Sequence, residues 1–328
     1  MAMNHDQTPL SGPVIQARGL RRVFKSRRQS VEAVAGVDLQ VEHGEIFGFL
    51  GPNGAGKTTT LRMLATLLPP SGGEATVAGC DLRQEAAEVR RRIGYVGQTG
   101  GNDPAITGRS ELVFQGRLYG MSVSEARARA AELISSLELE DCADRQTKTY
   151  SGGQKRRLDI GLGLAHKPQV LFLDEPTTGL DPQSRARMWD EVRLRREGGT
   201  TIFLTTHYLE EADALCDRVA IIDHGRIVAE GTPDQLKRQI AGDVVSVGVA
   251  GDQEAILELL RPQSFVREAG WQDGTLRLYV DRGESAMPAI LRLLDGAGLE
   301  LDTISLTRPS LDDVFLRQTG RSLRETAA

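Results

Sequence analysis

The sequence is short of cysteine. It has three, Cys80, Cys142 and Cys216, odd in number, far apart and without a CxxC pair. They read as reduced thiols of a cytosolic protein, not as a disulfide framework. No apolar run approaches the roughly 18 residues a membrane helix needs, so work at a membrane would require another chain to do the spanning. The first residues, MAMNHDQTPLSGP, are polar and lack the apolar stretch of a secretory signal. There is no basic excess either. A net charge of −5 and a pI near 5.7 argue against a whole-surface nucleic-acid binder. Internal repeats and low-complexity tracts are missing. With 40% apolar and 26% charged residues, disorder, collagen and coiled coil are excluded as the main architecture.

What is present is length and glycine. The 328 residues suggest two domains of ~150 residues each and bury a core without a disulfide or metal staple. Glycine accounts for 36 residues, above the roughly 7% of average usage, which directs attention to loops that use backbone for chemistry.

Residues 1–13 are expected to form a disordered leader. Residues 14–24 and 31–45 alternate as strand, turn, strand. The run IFGFL at 46–50 is a short buried strand, followed at once by a glycine loop and a helix ended by Pro69 and Pro70. Residues 84–165 are mostly helical, with SVSEARARAAELISSLEL showing a 3.6 period and an N-cap candidate in Ser122 or Ser124. VLFLDEP, TTIFLTTH and RVAIID are further buried strands separated by helical stretches, so a parallel α/β sheet is expected. From about residue 241 the order becomes βαββαβ plus a short helix, the pattern of a small ferredoxin-like α+β domain extending to 321. Residues 322–328 are expected to be a frayed tail.

The first cluster that carries chemistry runs Gly51, Pro52, Asn53, Gly54, Ala55, Gly56, Lys57, Thr58, Thr59. It fits GxxxxGK[ST] at every fixed position and stands between a buried strand and a helix, the context a phosphate-binding loop needs. Glycines let backbone N–H groups approach phosphate, and the helix aims its positive end at the same anion. Lys57 would reach the β- and γ-phosphates, and the Thr58 hydroxyl would ligate Mg²⁺. At the end of VLFLDE, Asp174 and Glu175 point to opposite faces and are free to take different jobs. Asp174 is placed to hold Mg²⁺, and Glu175 to orient and deprotonate a water attacking the γ-phosphate. By itself such a pair could simply cap the next turn.

A second glycine cluster, Tyr150, Ser151, Gly152, Gly153, Gln154, opens another helix and offers a second anion-binding end. One phosphate loop does not need it. Two chains placed head to tail would use it, each closing on ATP held by the other. YSGGQ resembles the signature of ATP-binding cassette (ABC) ATPases, at the spacing before Asp174 that the family shows. Other marks follow in order over residues 14–240. Gln98 in IGYVGQ resembles the glutamine that contacts Mg²⁺ and the transmembrane partner. Asp181 in TGLD resembles the residue that faces the other subunit. His207 in LTTHYLEEAD resembles the histidine that touches the γ-phosphate. Alone, Gln98 would be an ordinary surface glutamine and His207 a satisfied strand-end histidine. The resemblance implies a P-loop NTPase core with an antiparallel β subdomain and a helical insertion at about 98–165. Phe24 is the candidate for adenine stacking, where the family has Tyr; the ring is retained. Tyr150 replaces the usual Leu.

The stretch between Lys57 and Ser151 leaves room for a compact helical subdomain but no long coiled coil, unlike the chromosome-maintenance ATPases. SLDDVFLRQTGR, ATLLPPSGG and IIDHGRIVAEGTP resemble the ATP-binding subunits of daunorubicin/doxorubicin-resistance exporters. That resemblance implies an ATPase that uses ATP and Mg²⁺. It would pair with an identical or second ABC subunit and with an integral-membrane permease, to export a drug-like, polyketide or lipid substrate. Its place would be cytoplasmic, peripheral on the inner face of the plasma membrane, with no nucleic-acid partner. An importer ATPase and a permease-free ABC regulator are the alternatives. The C-terminal domain reads as a packing or dimer-stabilising module before a small-molecule sensor. The five basic residues of 21–28 suit a solvated hairpin loop better than a nucleic-acid contact.

Overall fold

The computed structural model describes residues 12–26, 30–239, 242–272, 274–307 and 310–319. Most of the expected leader, the tail at 322–328 and two of the basic residues at 21–28 lie outside the described residues.

The chain opens with β1 (Ile15–Lys25) and β2 (Ser30–Val41), an antiparallel pair, then β3 (Ile46–Leu50) and α1 (Lys57–Leu64). Next come β4 (Gly72–Val77), β5 (Cys80–Asp81), α2 (Ala86–Arg92) and β6 (Ile93–Val96). Helices α3 (Gly108–Leu118), α4 (Val123–Ser136) and α5 (Gly152–Leu164) form the helical insertion. The core resumes with β7 (Val170–Asp174), α6 (Pro182–Glu197), β8 (Thr201–Thr206), α7 (Leu209–Leu215), β9 (Arg218–Asp223) and β10 (Arg226–Gly231).

Two sheets result. One is antiparallel and four-stranded in the order β2-β1-β4-β5. The other has six strands in the order β10-β9-β3-β8-β7-β6, parallel except at β10. The parallel strands β3, β7 and β8 are buried along their whole length, as IFGFL, VLFLD and TIFLTT read. Two strands carry no such signal. β4 begins with two glycines and is half exposed, and β10 is a partly exposed edge strand, so neither shows an apolar run.

Parallel pairing places the C-terminal ends of β3, β6, β7 and β8 on one edge, where ligands of open α/β sheets bind. Under that edge the scarce aromatics are concentrated. Phe203 on β8 lies 5.6 Å from Phe47, 5.7 Å from Phe49 and 5.6 Å from Phe172, ring centre to ring centre. All four rings are 0% exposed, so they form a rigid floor.

The second unit begins at Pro233, because α8 (Pro233–Gln239) packs with α11 (Leu311–Thr319). The division therefore falls ahead of the 240/241 boundary expected from composition. Between these helices lie β11 (Asp243–Val249), α9 (Gln253–Leu260), β12 (Val266–Gln272), β13 (Thr275–Val280), α10 (Gly283–Gly296) and β14 (Leu301–Thr307). The sheet order β12-β13-β11-β14, antiparallel throughout, is that of a ferredoxin-like fold. Leu276, Leu278 and Val280 share a core with Ile256 and Leu260 of α9 and Ile290 and Leu294 of α10. Arg277, which alternates to the other face, pairs with Asp313 of α11 at 3.8 Å. In SLDDVFLRQ, Ser310 and Asp313 bond each other at the helix start, while Leu311, Val314 and Phe315 are buried. That motif is packing. Among the described residues no helix is long and apolar enough to cross a membrane.

Phe203→Ala should destabilise the first unit by about 3–5 kcal/mol, the range for deleting a core phenylalanine. The check is the denaturant midpoint by circular dichroism.

Candidate functional site

The loop after β3 is shaped by contacts only glycine accepts. A Cβ at Gly51 would lie 2.3 Å from the Ile222 carbonyl oxygen. Gly56 has φ +109, and a Cβ there would meet the Ala33 carbonyl oxygen at 2.5 Å. The loop is thus wedged between β2 and the β9–β10 turn, with Gly225 N–H donating to the Ala55 carbonyl at 2.9 Å. Helix α1 starts from Gly56 without a side-chain cap, whereas α3, α4, α5 and α6 are capped by Thr107, Ser122, Ser151 and Asp181. Its first N–H groups are therefore left for an anion. Pro52 is buried, Asn53 and Gly54 are exposed, and Thr59 is half-buried.

Lys57 points back into this loop. Its Nζ donates to the Gly51 carbonyl at 2.7 Å and the Pro52 carbonyl at 3.1 Å, and lies 3.4 Å from Glu175 Oε1. Burial lowers its pKa, and Glu175 opposes that. Glu175 Oε2 accepts from Gln98 Nε2 at 3.1 Å and Thr178 Oγ1 at 3.2 Å, and stands 3.4 Å from His207 Nδ1. The His207 ring, ahead of Lys57 and against burial, holds the Glu175 carboxyl at about 2. The Glu175 backbone is in the left-handed region, φ +46, unusual for a side chain of this size. Its N–H is fixed there by the Thr205 hydroxyl at 3.0 Å and the Thr205 carbonyl at 3.1 Å.

Asp174 sits across the same threonine. Its Oδ1 accepts from Thr58 Oγ1 at 2.9 Å and Thr205 Oγ1 at 2.7 Å. Its Oδ2 is buried without a partner, which is costly for a carboxylate oxygen. An orphaned carboxylate oxygen next to a hydroxyl, with the Gln98 amide held on the neighbouring Glu175, offers oxygen donors that fit Mg²⁺. Among the described residues no group of three or more His, Cys, Asp and Glu side chains could hold a metal, so any cation here relies on Thr58 and Gln98 as well.

The structure thus brings together Lys57, Thr58, Gln98, Asp174, Glu175 and His207. It does not bring the remaining sequence candidates to them. Ser151 and Gln154 form a capping box on α5, Oγ accepting from Gln154 N at 3.2 Å and Gln154 Oε1 from Ser151 N at 2.9 Å. Gly152 and Gly153 form the first turn, and a Cβ on Gly153 would meet Ser184 Oγ at 3.2 Å. Asp181 caps α6 through Ser184, whose N–H and hydroxyl hold its carboxyl below the usual range. The signature turn and the α6 cap are therefore neighbours. Among the described residues no hydrogen bond or ion pair links them to residues 51–59 or to Glu175. Phe24 is 41% exposed on β1, with the Arg22 guanidinium 4.7 Å from its ring centre. Tyr150 is buried, its hydroxyl donating to the Cys142 carbonyl at 2.7 Å. Gly108 makes the room, since a Cβ there would lie 2.4 Å from that hydroxyl.

Three contributors do not stand out in the sequence, although Thr178 opens TGLD and Thr205 lies in LTTHYLEEAD. Thr205 and Thr178 are described above. Arg156, buried on α5, donates to the carbonyls of Gly97 at 2.6 Å, Pro176 at 2.8 Å and Asp174 at 3.2 Å. It ties the helix that begins at Ser151 to the backbone beside Gln98 and Glu175. The three consecutive basic residues of GGQKRR give no hint which one turns inward.

Comparison with known proteins agrees with this geometry. The family described as "ABC transporter" matches residues 34–178, and "ATP-binding protein DrrA1-3-like, C-terminal domain" matches 231–319. Daunorubicin resistance ATP-binding protein DrrA2 of Streptomyces coeruleorubidus is 44% identical over 97% of this chain and 99% of its own. Daunorubicin/doxorubicin resistance ATP-binding protein DrrA of Streptomyces peucetius is 47% identical over 95% and 96% respectively. A solved ATP-binding cassette, described as a dimeric post-hydrolysis state bound to ADP and Pi, superposes with a TM-score of 0.61. It is 27% identical and covers 66% of this chain and 98% of that one. The chain accordingly belongs to the ATP-binding proteins of the ABC transporter family, ATPases by activity, in the branch that carries the DrrA1-3-like C-terminal domain.

Proposed function

We propose that this protein is the ATP-hydrolysing subunit of an exporter, working peripherally on the cytoplasmic face of the plasma membrane beside a separate permease. Two copies, or one copy and a second ABC subunit, would face head to tail. The exported molecule would be drug-like, polyketide or lipid, a class supported by relatives named for daunorubicin and doxorubicin resistance. The observation that carries the reading is the convergence of Lys57, Gln98 and His207 on one Glu175 carboxylate.

ATP would lie along residues 51–59 with its adenine against Phe24, and Ser151, Gly152, Gly153, Gln154 and Asp181 of the other copy would close over it. Thr58, Asp174 and Gln98 would hold Mg²⁺, which when bound neutralises charge shared by the β- and γ-phosphates. Lys57 and His207 would stabilise charge that develops in the transition state. Glu175 would orient the attacking water and take its proton. A carboxyl held at about 2 is a poor base. The groups that hold it there are the His207 ring and Lys57, and a triphosphate in the loop would draw Lys57 from Glu175 and raise its basicity only when substrate is present.

A partner surface is available on the helical insertion. Phe114 and Leu118 on α3 are 59% and 63% exposed, and Val123 at the start of α4 is 48% exposed. Phe114 lines a groove of about 650 Å³ with Arg109, Arg117 and Arg127. Apolar side chains left in water among arginines suit a segment of the permease.

Glu175→Gln should keep ATP binding and lower turnover by roughly 10²–10⁴-fold, the usual contribution of a general base. Normal turnover in that variant would remove Glu175 from the role. Chelation should stop hydrolysis, and Mg²⁺ should restore it. Asp174→Asn should then need at least about tenfold more Mg²⁺ for half-maximal rate. An unshifted Mg²⁺ requirement would take Asp174 out of the metal set.

A further inference from the structure

Among the described residues two carboxylates are 0% exposed, Asp174 and Glu211. The first belongs to the metal set. Glu211 has no part in the chemistry described above, yet burying a carboxylate is unfavourable unless something holds it. It lies in the first turn of α7, four residues after His207. Its Oε1 accepts from Thr177 Oγ1 at 2.8 Å and from Trp189 Nε1 at 3.2 Å, and the Thr206 hydroxyl and the Arg185 charge also favour its ionised form.

Both donors lead to the reaction centre. Thr177, also 0% exposed, stands two residues after Glu175, at the far end of the turn that begins with the left-handed Glu175 backbone. Trp189 is on α6. One turn earlier on the same face of that helix, the Arg185 guanidinium lies 4.6 Å from the Tyr208 ring centre. The Tyr208 ring lies 4.1 Å from the His207 ring, and Tyr208 N–H donates to Thr206 Oγ1 at 2.9 Å. Thus α6, which Asp181 caps, grips the segment after His207 at two points. At one of them the same carboxylate also holds the segment after Glu175.

We propose that Glu211 is a positioning residue for ATP hydrolysis: its buried carboxylate ties the Thr177 turn and the first turn of α7 to one face of α6, and so sets Glu175 and His207 at their mutual distance. Its Oε1 hydrogen bonds go to Thr177 and Trp189, not to Lys57, Thr58, Gln98, Asp174, Glu175 or His207. Thr205 already fixes the Glu175 N–H, but beyond it the two loops diverge from the strand ends, and small misplacements in a reaction centre cost rate before they cost binding. Burial pushes the Glu211 carboxyl up, so glutamine, with the same shape and an acceptor oxygen, is its closest substitute.

The inference rests on Glu175 and His207 acting together, so E175Q accompanies the test. Steady-state ATPase kinetics of the full chain would be measured for T177V, W189F, E211Q, E211L and the double variant E211L/T177V. T177V and E211L should lower kcat by about 10- to 100-fold with KM for ATP within about twofold. E211Q should recover kcat to within about threefold of wild type, and T177V should add nothing to E211L, because both act through one carboxylate. The inference is overturned if T177V and E211L keep kcat, if the loss falls on KM, if E211Q is as impaired as E211L, or if the two losses multiply. Should E211L not fold, T177V and W189F, which each remove a single donor, decide the question by the same split. If E175Q turns over normally, the underlying role of Glu175 fails instead, and the two failures are told apart.

Discussion

The site depends on a buried contact between opposite charges, Lys57 and Glu175, which are 4% and 8% exposed and 3.4 Å apart. Neither would be tolerated alone at that depth. One comes from the loop after β3 and the other from the end of β7, so the contact fastens the phosphate loop to the acidic strand end. With Lys57 engaged by the loop carbonyls and Glu175, the His207 ring and Lys57 together hold the carboxyl low. In the proposed reading a triphosphate would compete for Lys57, so substrate binding and activation of the base would be one event.

That contact forms where it does because the strands are parallel. Leu50 pairs with Thr206, and Asp174 with Thr205, so loop, acids and histidine leave the sheet on one level. The phenylalanine floor fixes the spacing of the strands below. Thr205 finishes the alignment by donating to Asp174 and accepting from the Glu175 N–H. The left-handed turn that follows leaves one carboxylate on Thr58 and aims the next at Lys57 and His207.

Much of this was legible in the sequence, and the reason is chemical. Phosphate binding needs glycines, a lysine and a hydroxyl in fixed linear order, and buried parallel strands announce themselves as apolar runs. Gln98 and His207 were legible only through the family resemblance, since neither residue alone is distinctive. Thr205, Arg156 and Glu211 were not legible. Their types are common, and their roles come from strand register and from which side of a helix turns inward. Tyr150 shows the converse: the departure from leucine is visible in the sequence, but Gly108, which makes the room, is recognised only in the fold. The start of the second unit was placed late because α8 belongs with α11, a helix far away in sequence. β4 and β10 escaped because half-exposed strands lack the apolar pattern.

In the proposed reading one chain holds only part of a reaction centre: the turn at residues 151–154 is built into its own α5 cap beside α6, with no hydrogen bond to its own phosphate loop among the described residues. The most direct measurement is complementation. Lys57→Ala and Ser151→Ala are each purified, shown to be inactive alone, and then mixed and assayed for ATP hydrolysis. If the site is shared, the mixed dimer contains one centre with an intact Lys57 from one chain and an intact Ser151 from the other, and activity returns. A mixture as inactive as its components would contradict the shared site.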